Sequence, residues 1–378
     1  MDRHHEGIVR DDSGGEAMNG VRDLLGAIAA LPLHRRVRVL NVCGDQERVI
    51  SLSDMRRQLP DVVEVVPGPG CAASICPEAD VFQALRLVER HSVTLLVSEN
   101  LLRLPLTEPG NGPRSLVDAM HSGADIRPIA APIEAVVAAR EKPSRDMVLF
   151  LAGFETLLAP LAGMVLDGLP ENLSILLCGR RAEPLIDRLL AANADDFDAL
   201  LLPGNRCALT GTGEWDRLSN TYGKPAAVAG YTAINILSAL HSVLQRHEHG
   251  KASVENLYRR LARPEGNAMA RDQMERVFEP FAGGWRGVGV VDGTGFRLRH
   301  AYDVINADCR YPDYRGEMIE ASRQMPDGCA CAEVLVGRKT PAQCAMFAHA
   351  CSPTAPIGPC MASEDGTCFL HRSLLSAA

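Results

Sequence analysis

Short apolar segments alternate with helical patterns over the first two thirds of the chain, and this alternation limits the possible folds more than any other feature. The segments between the apolar runs, such as ADVFQALRLVER, place apolar residues at the spacing of one helix face. Because consecutive strand-helix-strand units make right-handed crossovers, the pattern predicts parallel sheets and an α/β fold. The predicted strands, which have the aliphatic content of strands buried on both faces, are 37–42, 62–66, 93–97, 147–153, 173–179 and 199–204.

Chain length, composition and the spacing of apolar residues predict how the chain is divided into domains. Its 378 residues, 46% of them hydrophobic, suffice for two or three domains. We predict an unstructured lead-in and a helix in 1–36, and two related Rossmann-like parallel-sheet domains, 37–143 and 144–231, with their boundary near the segment EKPSRD. Residues 232–378 have helical spacing followed by a segment rich in Cys, Pro and Gly, and they predict a mainly helical, Cys-rich third domain.

Charge and hydropathy exclude several classes of function. The net charge is −8 and no long Lys/Arg cluster occurs, so affinity for nucleic acid or for anionic membranes is not expected. No apolar segment approaches the roughly 18 residues of a membrane span, and the N-terminus lacks the apolar segment of a signal peptide. We therefore expect a cytoplasmic protein. In that reducing compartment, 12 cysteines indicate metal or redox chemistry rather than structural disulfides.

Reactive side chains follow four of the predicted strands. Cys43, the loop containing Cys71, Glu99 and Glu155 each come directly after a strand. Because ligands of open parallel sheets bind at the carboxyl ends of the strands, we expect these side chains to share one rim and name them as candidate catalytic residues.

The loop PGPGCAASICP adds another cysteine to this group. Pro77 suits the first position of a helix, and a helix N-terminus favours the thiolate form of the adjacent Cys76. Cys76 is therefore a further candidate catalytic residue. The alternative is a tight turn that is merely packed with small residues and cysteines.

The C-terminal cysteines are the strongest signal in the sequence. Cys331, Cys344, Cys351 and Cys368 can supply four thiolates from separated loops, with Cys329 and Cys360 as extra thiols of open role. Such a set holds an iron-sulfur cluster or a tetrahedral zinc ion. The CxxC pairs common in structural zinc sites are absent, which favours iron-sulfur. Three other thiols are predicted to be ordinary buried residues: Cys178, Cys207 and Cys309.

Ordered motifs extend from about Leu40 to the C-terminus. They are VCG at 42–44, GPGC at 68–71, SLVDAMHSGADIR at 115–127, GFET at 153–156, DALLLPG at 198–204, VENLYRR at 254–260, GN at 266–267, WRGVG at 285–289 and the final cysteine array. In this order they resemble the HypD family of hydrogenase maturation proteins.

The resemblance implies a fold, cofactors and partners. It implies two related α/β domains and a third domain in which Cys331, Cys344, Cys351 and Cys368 hold a 4Fe-4S cluster. It implies work with the chaperone HypC and the cyanide donor HypE in assembling the Fe(CN)2CO centre of NiFe hydrogenases. Cys43 would hold that iron transiently, together with a HypC thiolate, since a soft thiolate suits low-spin iron. The cluster and a thiol pair would relay the two electrons needed to release cyanide from thiocyanate, as an accessory factor rather than a classical enzyme.

The chain departs from the family pattern where this chemistry is expected. The family's CPVC is CAAS here, so Ser74 replaces the second cysteine and Cys76 follows two positions later. The family's GGHTH has Gln46 in place of its first histidine, and Glu99 replaces an aspartate. GFEP is replaced by GYTA at 230–233.

Three hypotheses follow from these departures. The first is an active HypD-type factor that uses Cys43 for iron and Cys71 with Cys76 as the electron relay. The second is a diverged paralogue that keeps the cluster and serves another metallocofactor assembly or a regulatory interaction. The third is an assembly factor stabilised by zinc.

Overall fold

The computed structural model describes residues 13–107, 112–314 and 325–377. Its strands are β1 (Val37–Asn41), β2 (Val63–Pro67), β3 (Thr94–Ser98), β4 (Ile126–Ile129), β5 (Met147–Gly153), β6 (Leu173–Arg180), β7 (Ala199–Pro203), β8 (Ala226–Ala229), β9 (Val254–Asn256), β10 (Phe278–Trp285) and β11 (Gly289–Leu298). All six predicted strands are present, and each end lies within one residue of its predicted position.

The helices lie between these strands and in the C-terminal region. They are α1 (Ser13–Ala29), α2 (Gly44–Leu52), α3 (Met55–Gln58), α4 (Ala72–Ile75), α5 (Glu78–Arg90), α6 (Leu116–His121), α7 (Pro132–Glu141), α8 (Glu155–Asp167), α9 (Glu183–Ala192), α10 (Gly204–Thr210), α11 (Gly213–Tyr222), α12 (Ala233–Glu248), α13 (Ala268–Val277), α14 (Ala307–Arg310), α15 (Cys331–Leu335), α16 (Pro359–Ala362) and α17 (Thr367–Ala377). The predicted unstructured lead-in lies outside the described residues up to residue 12, and from Ser13 the chain is helical.

The described strands form two sheets. The first has the order β2-β1-β7-β8-β9, and all its neighbours are parallel. The second has the order β10-β11-β6-β5-β3-β4; it is parallel from β6 to β4, and the antiparallel hairpin β10–β11 extends its edge. This confirms the predicted α/β class with parallel-sheet domains.

The two sheets are interleaved along the chain. The first takes its strands from 37–67 and 199–256, and the second takes its strands from 94–180 and 278–298. The boundary predicted between residues 143 and 144 therefore falls inside the second sheet, between β4 and β5. Hydrophobic periodicity shows that a strand is buried but not which strand it pairs with, so the sequence reveals the strands and not their distribution between the sheets.

The C-terminal region is Cys-rich and largely helical, as predicted, but it also contains the hairpin β10–β11, which the sequence analysis missed. Its strands include several glycines, which weaken the alternation that marks a half-buried strand. At the turn, Gly287 and Gly289 have φ values of +73° and +98°, in the left-handed region that glycine adopts without strain. The turn also contains Arg286, whose side chain is fully buried.

The C-terminal thiols are part of the main core. Leu40, Val66 and Leu200 of the first sheet share one hydrophobic cluster with Trp285 of the hairpin and with the C-terminal cysteines. The opposite face of the first sheet is covered by helices that include α1 and α12. Among the helices of the described part of the chain, none combines the length and the apolar content that a membrane crossing requires.

Candidate metal and thiol site

Cys43 lies at the carboxyl end of β1, immediately before helix α2. Its backbone is extended, with φ −135° and ψ 123°, and the Asn41 amide fixes it by donating to the Cys43 carbonyl at 3.0 Å and accepting from the Cys43 N–H at 3.2 Å. Burial, reinforced by the nearby Asp45 carboxylate, raises the pKa of the Cys43 thiol to about 11, and the charge of Arg206 only partly opposes this. Cys43 is therefore protonated at neutral pH, and any metal that it binds must displace a proton.

The Cys43 loop lies directly against the Cys71 loop. A Cβ atom on Gly70 would lie 2.2 Å from the Gly44 nitrogen and 2.8 Å from the Cys43 Cα, so only glycine fits there. The close approach of two backbones explains the glycine that precedes Cys71 in the GPGC motif. The structure thus brings Cys43 and Cys71 together at one rim.

A buried ion pair joins the carboxyl ends of the two sheets beside Cys43. Glu155, which begins α8 after β5, lies 3.3 Å from Arg206, which follows β7 in the first sheet. Burial and repulsion from Glu183 raise the pKa of Glu155 to about 7, although Arg206 opposes the rise. Glu155 Oε2 and both Nε and Nη1 of Arg206 are buried without a hydrogen-bond partner, so the ion pair lacks hydrogen-bond geometry. These atoms are available to a ligand near Cys43.

Two other predicted site residues lie elsewhere. Glu99 follows β3, as expected, but it is exposed and is not part of the buried Glu155–Arg206 pair. Cys76 is fully buried, and its sulfur lies with Cys178 and Asp80. Strand ends share an edge, but the direction of each side chain depends on local turn geometry, which spacing does not specify.

The sequence analysis missed Arg206 and Tyr231 as members of the site. Tyr231 accepts a hydrogen bond from the Asn205 N–H at 2.9 Å, and burial together with nearby Cys43 raises its pKa. Both residues follow strands of the first sheet, so the strand-end rule that identified Cys43 would also have found them. The Gln46 amide donates to the carbonyls of Leu202 and Ala229 at 3.1 and 2.9 Å, which anchors α2 to the ends of β7 and β8.

The C-terminal thiols form a compact buried group. The sulfurs of Cys331, Cys360 and Cys368 all lie within 4.8 Å of one another. Cys329 is beside them, and a hydrogen bond with Cys331 lowers the pKa of Cys329 to about 7. A Cβ atom on Gly358 would lie 2.5 and 2.6 Å from the sulfurs of Cys329 and Cys331, so this glycine is needed to admit them. We call these four residues the C-terminal thiol group.

The predicted cluster ligands are only partly brought together. Cys331 and Cys368 belong to the C-terminal thiol group. Cys344 and Cys351 pack against the same core, where their sulfurs accept from the N–H groups of Ala330 at 3.5 Å and Ile357 at 3.3 Å. A set of donors made only of sulfur and enclosed by apolar side chains fits a soft metal or an iron-sulfur cluster. The triad Cys331, Cys360 and Cys368 could therefore bind a metal.

Ser74 lies between the two thiol regions. It is fully buried in α4, which begins after Cys71 and packs against α16, the helix that carries Cys360; its hydroxyl makes no hydrogen bond within the described part of the chain. The Cys71 sulfur also lies 3.9 Å from the Ser363 hydroxyl, at the start of the segment that leads to Cys368. Ser74 thus lies on the short helix between the Cys71 loop and the helix that carries Cys360.

Comparison with known proteins shows which family the chain belongs to. The family model described as "HypD: Hydrogenase formation hypA family" matches residues 19–373. The chain belongs to the HypD family. This HypD-family chain is 33% identical over 338 residues to a protein of Methanocaldococcus jannaschii named for hydrogenase expression and formation, covering 88% of the chain and 90% of that protein. It is 30% identical over 357 residues to the hydrogenase maturation factor HypD of Rhodobacter capsulatus, covering 92% and 91%.

Proposed function

We propose that this chain is a scaffold and redox factor in the assembly of the Fe(CN)2CO centre of NiFe hydrogenase. The observation that carries the proposal is the continuous buried packing from the Cys43 and Cys71 loops, through α4 with Ser74, to α16 with Cys360 of the C-terminal thiol group. Such packing would connect a thiol that holds iron with a redox centre. Its partners in this function would be a HypC-like chaperone and a HypE-like cyanide donor, and its role would be that of an accessory factor.

In this proposal Cys43 holds the iron as a transient substrate. The Cys43 proton must leave on binding, since the pKa of about 11 keeps it on sulfur at neutral pH. Arg206 stabilises the thiolate by its charge, and its Nη1 has an N–H group free to donate to an anionic ligand on the iron. Glu155, with a pKa of about 7, can exchange a proton in the physiological range.

The C-terminal cysteines would hold a 4Fe-4S cluster, with Cys331, Cys344, Cys351 and Cys368 as the proposed ligands. When bound, such a cluster supplies single-electron transfer. The close packing of Cys360 with Cys331 and Cys368 makes a ligand set that includes Cys360 the direct competitor. The iron and sulfide content of single Cys→Ser variants distinguishes the proposed ligand set from a set that includes Cys360. The variants replace, one at a time, Cys329, Cys331, Cys344, Cys351, Cys360 and Cys368, and Cys309→Ser, which removes an exposed thiol, is the matched control. Loss of the cluster in Cys360→Ser but not in Cys344→Ser would replace the proposed set.

Complementation tests the function as a whole. The chain, expressed in a strain that lacks its own HypD, should restore NiFe hydrogenase activity, and Cys43→Ser should not. Infrared spectra of the chain copurified with a HypC-like partner should contain cyanide and carbonyl bands. Spectra without these bands, from protein that retains its cluster, would contradict the proposal.

The serine at position 74 favours a second candidate function. A diverged HypD paralogue would keep the cluster and serve another metallocofactor assembly or a regulatory interaction. Cys71 has no thiol at Ser74 to pair with, and the sulfur of Cys76 lies with Cys178 instead. If Ser74→Cys gains rescue that the unchanged chain lacks, the second function is supported. Rescue by the unchanged chain supports the first.

A further inference from the structure

A second group of possible metal ligands lies in the hydrophobic cluster that packs on one face of the second sheet, apart from the C-terminal thiol group. The sulfurs of Cys76 and Cys178 and a carboxylate oxygen of Asp80 all lie within 4.8 Å of one another. Cys76 ends α4 after the first sheet's β2, Asp80 lies in the first turn of α5, and Cys178 belongs to β6 of the second sheet. Both cysteines are fully buried, whereas the Asp80 side chain is 21% exposed.

We propose that Cys76, Asp80 and Cys178 bind a zinc ion, with a water molecule as the fourth ligand. Two thiolates and one carboxylate are ligands that zinc accepts in tetrahedral sites. Cys76 and Asp80 are four positions apart at the start of a helix, and a strand supplies the third ligand. The partial exposure of Asp80 leaves a side of the site open to water.

The residues around the group suit a bound cation. Arg180 lies 3.7 Å from the Asp80 carboxylate, and backbone carbonyls fix its guanidinium: Nε donates to Gly284 and Nη1 to Gly179, each at 2.8 Å. A ligating carboxylate is commonly held by such an outer partner. With Arg180 charged and the three ligands ionised, one divalent ion makes the site neutral, so the ion leaves no uncompensated charge at this buried position.

The site would also have a mechanical consequence. Its ligands come from segments attached to different sheets, so the ion would connect the loop that contains Cys71 to strand β6. This role is independent of the function proposed above, because neither Cys43 nor the C-terminal thiol group takes part.

Metal binding to the full-length chain tests the proposal. The reduced, metal-free protein is titrated anaerobically with Co²⁺, whose charge-transfer absorption reports thiolate ligands, and Zn²⁺ is then used to displace it. The unchanged chain should bind one more equivalent than Cys178→Ser, and Asp80→Asn should weaken binding at this site at least about tenfold. Cys309→Ser, which removes an exposed thiol, should match the unchanged chain.

Two results would overturn the zinc site. One is equal stoichiometry and affinity in the unchanged chain, Cys178→Ser and Asp80→Asn. The other is a Cys76–Cys178 disulfide, found by mass spectrometry of protein alkylated at the time of lysis. Asp80→Asn keeps the side-chain volume, and circular dichroism of each variant confirms that lost binding does not reflect unfolding.

Discussion

Single residues determine which thiols lie next to each other in this chain. Ser74 is fully buried on α4, between the Cys71 loop and the helix that carries Cys360, and it stands where the resemblance of the sequence to the HypD family led us to expect a thiol. The sulfur of Cys76 lies with the sulfur of Cys178 and a carboxylate oxygen of Asp80. Cys71 and Cys76 nevertheless belong to the same buried hydrophobic cluster.

The protonation of Glu155 should make stability depend on pH. Its pKa rises from 4.5 to about 7 on folding, so the folded state holds the proton more tightly than the unfolded state. Stability from this group is fully present below about pH 4.5 and is lost as pH rises through 7, by about 3 kcal/mol. Urea unfolding between pH 5 and 8 should show this loss, and Glu155→Gln should remove it.

The exposed Glu99 provides the matched control for this prediction, since it also follows a strand of the second sheet. Glu99→Gln should leave the pH dependence unchanged. A Glu155→Gln variant with the same pH profile as the unchanged chain would contradict the raised pKa.

Gly70 should tolerate no side chain. The added methyl of Gly70→Ala would meet the Gly44 nitrogen at 2.2 Å and separate the Cys43 and Cys71 loops. We expect a loss of about 3 kcal/mol in the free energy of unfolding, measured by urea denaturation. Gly26→Ala, in the last turn of α1 with open space around it, should instead stabilise the protein by roughly 0.5–1 kcal/mol. Equal effects of the two substitutions would contradict the packing of the loops.

At the scale of elements, the hairpin β10–β11 connects the second sheet to the Cys71 loop. The Arg286 N–H donates to the Ile75 carbonyl at 3.1 Å, and the Arg286 guanidinium lies 3.4 Å from Glu78 at the start of α5. Burial lowers the pKa of Arg286, and the Glu78 charge opposes this. The hairpin therefore fixes α4 and α5, and with them Ser74, Cys76 and Asp80.

Removal of Arg286 should destabilise the protein strongly. Arg286→Met leaves the buried Glu78 carboxylate without its cation, although Thr107 still donates to it at 2.7 Å. Breaking such a buried pair costs about 3–5 kcal/mol in the free energy of unfolding. The double variant Arg286→Met/Glu78→Gln should recover part of this loss in a thermal or urea titration. If the two single losses simply add, the residues are not coupled.

At the scale of the whole molecule, the site exists because the chain passes from the first sheet to the second and returns. This route places Cys43 and Arg206 of the first sheet opposite Glu155 of the second. It also leaves a face of the first sheet for the C-terminal segment, where the Arg38 guanidinium donates to the Gly337 carbonyl at 2.8 Å.

Metal at the C-terminal thiol group should couple to the order of that segment. Residues 325–373 contain few regular elements, so metal-ligand bonds should contribute much of their stability. Treatment with a chelator should speed limited proteolysis within this segment at least about tenfold, as followed by mass spectrometry. Cleavage elsewhere in the chain serves as the internal control. Equal protection with and without metal would contradict this coupling.

The sequence by itself determined six of the described strands, the α/β class, the family and the Cys-rich C-terminal region as a place for metal. These follow from local periodicity, from strand-end positions and from ordered motifs. Cys309 shows the limit, since it was predicted to be buried and is exposed on the short helix α14.

Only the tertiary structure decided which side chains and strands lie next to each other. The interleaving of the two sheets, the Glu155–Arg206 pair, the grouping of Cys360 with Cys331 and Cys368, and the contact of Cys76 with Cys178 all join residues far apart in sequence. The physical reason is that burial can be read from local patterns, whereas the choice of partner is made by packing across the whole chain.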